Sequence, residues 1–149
     1  MFSAIVLVAA AVSTCALRPD LQLVPAVSRV RLVHDTRSFR ANANITFTVR
    51  TIRKPAPSGD PGLHAHIAGY YAIAQRLAQA SQVRAVGTTP AQARTRLVKA
   101  VAQLAHDVNV EYARQARVYD AVTENGRAQN QGPAYGFPGG PDADAYCPQ

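Results

Sequence analysis

Between residues 54 and 62 the chain reads "KPAPSGDPG". Three prolines and two glycines stand in this short run, and no helix or central strand continues through them. The hydrophobic period differs on its two sides. Before the break, "ITFTVRTIRK" alternates: Ile45, Phe47, Val49 and Thr51 share one face, and Thr46, Thr48 and Arg50 the other. A period of two in β-branched residues predicts a half-buried strand. After the break, Leu63, Ile67, Tyr70, Ala74 and Leu77 recur at steps of four and three, the apolar stripe of an amphipathic helix. Strands first and helices after predict an α+β chain.

The flanking segments extend this division. "LQLVPAVSRVRLVH", residues 21–34, is interrupted by Pro25 and alternates imperfectly. Its second half places Val30, Leu32 and His34 on one face, with Arg29, Arg31 and Val33 on the other. "DTRSFRANAN" reads as a turn-rich connection, so the two β-like runs are expected to pair antiparallel. The first helix is expected over about residues 63–85. "VGTTPAQ" separates it from a second, over about residues 90–123. There Thr89 is the N-cap, Pro90 suits the first helical position and Gln92 completes a capping box. Leu97, Val101, Leu104 and Val108 form its stripe, continued by Tyr112, Tyr119 and Val122. Two long helices with a short link predict an antiparallel helical hairpin. From Gly132 onward, Gly and Pro dominate, which predicts an extended tail over residues 132–149.

The 149 residues suit a single domain, expected over residues 17–131. Residues 3–16 are apolar or small throughout, too short for a comfortable membrane span. They read as a secretory signal occupying residues 1–16, with cleavage after Ala16. Two alternatives are lipidation at Cys15 and a buried apolar first strand or helix. The expected location is periplasmic or secreted. Cys15 and Cys147 are the two cysteines, so no disulfide framework and no finger-type zinc site can be built. The net charge is +7, and Arg18 to Lys54 holds eight basic residues against Asp20 and Asp35. This run is either a solvated face or a surface for an anionic envelope. No nucleic-acid motif accompanies it, and no nucleic-acid partner is expected.

The candidate chemistry lies in "HIAGYYAIA", residues 66–74. A zinc protease helix carries H-E-x-x-H: histidines one turn apart hold the ion, and the glutamate takes a proton from bound water. Here His66 stands at the first position, Ile67 at the glutamate position and Tyr70 at the second histidine. A second motif, "VYDAVTENGRAQNQ", lies at residues 118–131. Together the two resemble a family of bacterial secreted proteins classed as predicted zinc-dependent proteases. That family has a signal, a β-rich first part, a helix opening H-E-x-G-H, a second long helix and a closing Y-D-x-x-T-x-H-G. The likeness covers about residues 64–131 and retains Gly69, Tyr119, Asp120, Thr123, Gly126, Gln129 and Gln131. It implies a zincin-like fold and, in the family, a zinc cofactor.

Three positions depart together. Ile67 replaces the base, Tyr70 a ligand, and Asn125 the histidine that the resemblance suggests as a third ligand. No catalytic residue, metal ligand or cofactor is therefore expected, and the chain reads as a non-catalytic binding or regulatory protein. An extended peptide, taken up by strand addition, or an anionic envelope surface is the expected partner. Two alternatives stay open. One is a metallopeptidase with an atypical site, using His66 with His64, His106 or Asp120. The other is an unrelated structural envelope protein. His64 and His66 point about 200° apart on a helix and cannot share an ion there. His106 faces away from its stripe, and His34 falls at a strand end. Asp120 and Glu124, one turn apart, read as a solvated helix end, with local hydrogen bonding of Asp120 near the helix terminus as the alternative, and Cys147 reads as incidental.

Overall fold

A computed structural model describes residues 18–55 and 61–123. The elements run β1 (Asp20–Asp35), β2 (Ser38–Arg53), α1 (Pro61–Leu77), β3 (Ser81–Gly87) and α2 (Pro90–Val122). The strands form one antiparallel sheet in the order β1-β2-β3. The chain is therefore α+β, as the change of period predicts. Both helices pack on one face of the sheet. Leu21, Leu23, Ala41, Ala43, Ile45, Phe47 and Ala85 point toward them and meet Tyr70, Ala74, Ala93, Leu97, Tyr112, Ala116 and Tyr119. The helices run antiparallel, since Tyr70 meets Asp120 while Arg76, further along α1, meets Gln115.

Two sequence expectations are corrected. The turn-rich connection is only Thr36 and Arg37, and residues 38–44 belong to β2. The first helix ends at Leu77 rather than near residue 85, and Ser81–Gly87 is a strand. Within it Val83, Ala85 and Gly87 turn toward the core, while Gln82, Arg84 and Val86 are exposed. A strand thus stands between the two helices of the hairpin. At its end a Cβ on Gly87 would lie 2.5 Å from the backbone nitrogen of Ala93. Only glycine lets α2 start this close to the sheet.

A β-bulge explains the imperfect alternation of β1. The register shifts between Ser28 and Arg31, and Arg29 takes a positive φ of 50°. One extra residue moves the helix-side set from Leu21 and Leu23 to the even positions, where Leu32 packs against the core and His34 is exposed. The cap of α2 forms as the sequence predicts, with one displacement. Gln92 N–H donates to Thr89 Oγ1 at 3.2 Å, but the Gln92 side chain returns to Thr88 N–H, at 2.7 Å, rather than to Thr89.

The sheet edges differ in access. Asn109 on α2 closes β1. Leu23 N–H donates to its Oδ1 at 2.9 Å, and its amide donates to Leu23 O at 2.9 Å, as a neighbouring strand would do. Leu23 therefore points its backbone away from β2, and its partner Val49 points away from β1. By the same alternation Phe47 and Thr51 present their backbone on the β3 side. β3 reaches only to Ile45, so this part of β2 is an unpaired edge among the described residues.

Candidate functional site

Residues of the two sequence motifs meet at the junction of the two helices. α1 supplies His66, Gly69 and Tyr70, and the last turn of α2 supplies Tyr119, Asp120 and Thr123. His66, Tyr70, Tyr119, Asp120 and Thr123 are all buried, each less than 5% exposed. One helical turn separates His66 from Tyr70, so both side chains fall on the same face. The antiparallel crossing then brings Asp120 beneath them.

The hydrogen bonds form one network. Tyr70 OH donates to Asp120 Oδ1 and lies 3.0 Å from His66 Nε2. Thr123 Oγ1 donates to Tyr119 O at 2.7 Å and lies 3.3 Å from His66 Nδ1. Each hydroxyl has one proton, and both are directed elsewhere. The His66 ring thus faces an acceptor on both sides, with Asp120 Oδ1 3.6 Å from its Nε2. Tyr119 stacks on the same ring, centroids 4.9 Å apart and 12° between planes, and its hydroxyl donates to His66 O at 3.1 Å. Gly69 is required by this stack, because a Cβ there would overlap the Tyr119 hydroxyl and ring.

Burial, and then the charge of Asp120, push the Tyr70 hydroxyl far above its ordinary value, so it is a neutral donor. Arg18 closes the cluster from the segment before β1. Its guanidinium lies 3.8 Å from Asp120 Oδ2 and 5.8 Å from the centroid of the Tyr70 ring. Sequence reasoning counted Arg18 among a basic run and missed this role. The two positions are about a hundred residues apart, with no local pattern linking them.

The remaining candidates separate. His64 and His106 are exposed, and His34 stacks on Phe39 with centroids 4.5 Å apart. Ile67 is only half-buried. Asp120 is not the solvated helix-end residue the sequence suggested, being 2% exposed beneath α1. Glu124, Asn125, Gly126, Gln129, Gln131, Cys15 and Cys147 lie outside the described residues, as do the expected signal and tail. Among the described residues no three His, Cys, Asp or Glu side chains gather as a metal group. The donors that do gather fit zinc poorly, since one imidazole and one carboxylate both turn to a neutral phenol.

Comparisons with family models, with curated proteins and with solved structures returned no match. Among the described residues, no helix is long and apolar enough to cross a membrane.

Proposed function

We propose that this chain is a secreted or periplasmic, non-catalytic binding protein on a frame similar to that of the predicted zinc proteases. The observation that carries this is the position of the Tyr70 hydroxyl. It sits between His66 Nε2 and Asp120 Oδ1, within hydrogen-bonding reach of both and 3.0 Å from the histidine nitrogen. A zincin would hold an ion and its water in such a place. Here a neutral phenol joins the two groups in a buried network. The meeting of Gly69, Tyr119, Asp120 and Thr123 around His66 supports the likeness to the family frame.

Binding is assigned to the sheet. An extended peptide adds to the unpaired edge at Phe47, Val49 and Thr51, where main-chain groups supply affinity. The uncovered sheet face carries Arg31, Arg40, Arg50 and Arg84; Arg31 and Arg84 flank Asn42 in register, while Arg40 pairs with Asp35, and this basic face favours an anionic envelope surface at low salt.

The test is twofold. Chain purified with zinc present is expected to hold no stoichiometric zinc by elemental analysis and to cleave no unfolded protein substrate. Tight zinc with chelator-sensitive cleavage, abolished by His66→Ala, would establish the metallopeptidase alternative instead. Peptide-library binding is then compared with a Val49→Pro variant, which removes an outward N–H from the edge while leaving β1 pairing intact. Equal peptide binding by folded Val49→Pro rules out strand addition at this edge.

A further inference from the structure

A second polar site lies on the other side of Arg18. At the end of the sheet, β1, Arg53 of β2 and α2 line an open pocket of about 320 Å³, within the size range of small-ligand sites. Arg18, Arg53 and Tyr112 supply its hydrogen-bond donors, and Leu21 and Ala113 part of its apolar wall. Tyr112 is 5% exposed, and among the described residues no group meets its hydroxyl at full hydrogen-bond geometry, although the Arg18 guanidinium acts on it electrostatically. A buried, unpartnered hydroxyl is costly unless something meets it. Arg53, on the pocket rim, makes no ion pair within 4.0 Å with any described carboxylate, although Asp20 is its register partner. Asn109 also lines the pocket, but its amide is spent on Leu23 and Ala105.

We infer that this pocket binds a carboxylate carried on an apolar body, the carboxylate meeting Tyr112 OH and Arg53 while the body lies along Leu21 and Ala113. Two guanidinium groups against the single rim carboxylate of Asp20 favour a monoanion over a phosphate dianion. Arg18 is partly neutralised by Asp120, which leaves Arg53 as the main charge partner. Guanidinium pairs well with carboxylate because its planar donors match two oxygens. The same chemistry occurs in a free short-chain acid and in the C-terminal residue of a peptide.

The experiment uses the full chain at constant ionic strength. Thermal shifts and calorimetric titrations compare hexanoate with hexanamide, and a peptide ending in leucine with its C-terminally amidated form. The acid forms are expected to raise Tm and the amide forms to leave it unchanged. A response to hexanoate identifies the free acid as sufficient, and a response confined to the free-carboxyl peptide identifies the chain terminus. Arg53→Gln, an exposed position, is expected to weaken binding at least about tenfold. Tyr112→Phe is expected to weaken acid binding while Arg53 keeps part of the preference for acid over amide. Equal shifts for acids and amides, no shift with either, or full binding by Arg53→Gln overturns the proposal. Val49→Pro serves as a control, since it blocks the β2 edge and leaves this pocket intact, so the two sites fail independently.

Discussion

Gly69 shows how one residue can be set by a contact more than forty positions away. Glycine inside a helix normally costs about 1 kcal/mol relative to alanine. At this position the sign reverses, because a methyl group would overlap Tyr119 where it stacks on His66. Gly69→Ala is expected to destabilise the fold by about 1–3 kcal/mol, the usual range for overpacking, as a lowered urea midpoint; a raised midpoint removes the account of the stack. The tyrosines give a pH prediction. Burial is the first cause that raises both Tyr70 and Tyr112, the latter to about 12 from an ordinary 10.0. Raised groups release their protons more readily in the unfolded chain. Stability is therefore retained below pH 10.0 and falls as pH rises toward about 12. Denaturant midpoints followed from neutral to strongly alkaline pH are expected to show this fall, with a shallower slope in Tyr112→Phe.

Among the elements, β1 depends on a helix for its edge. The Asn109 amide makes three hydrogen bonds, two to Leu23 and one to Ala105 O at 2.7 Å. With Pro25 further along, it closes an edge that would otherwise invite pairing with another chain. Asn109→Ala is expected to cost about 1–3 kcal/mol, the penalty for leaving part-buried backbone groups unmet. It should also increase self-association in sedimentation experiments. An unchanged denaturation midpoint would show that water replaces the amide. The same elements show what was legible in sequence. The face of β2 and the span of α2 were readable, because strict alternation and a capped 3.6-residue stripe have few other solutions. β3 was not. Its short run after "AQA" continues an alanine-rich helical composition, and only pairing with residues 39–45 decides between helix and strand. The bulge at Arg29 was hidden in the same way, since nothing local requires Arg there to adopt a positive φ.

At the scale of the whole molecule, the helix crossing decides what the motif residues become. "HIAGY" and "YDAVT" each say little about distance, yet the antiparallel packing of α1 and α2 brings them into one buried network. The two motifs were legible in sequence, but the distances among His66, Gly69, Tyr70, Tyr119, Asp120 and Thr123 were not, because they depend on how the helices cross. The closure by Arg18 was not legible either, because it depends on where the entry to β1 meets the end of α2. If the cluster is the frame of a zinc site with its ligands replaced, restoring them should restore affinity. Tyr70→His puts a second imidazole one turn from His66, on the face that already meets Asp120. Two histidines and a carboxylate form a known zinc ligand set. Adding Asn125→His supplies the further ligand that the resemblance implies, and Ile67→Glu the base. The parent chain is expected to leave cobalt(II) in its pale aqueous state. The Tyr70→His/Asn125→His variant is expected to take up one equivalent, with the intense visible absorption of tetrahedral cobalt. Zinc should displace it and raise Tm by mass action. Adding Ile67→Glu should leave that stoichiometry unchanged and introduce chelator-sensitive cleavage of an unfolded substrate. If the folded double variant takes up no cobalt, the family frame is lost, and a buried polar cluster with no metal ancestry stands in its place.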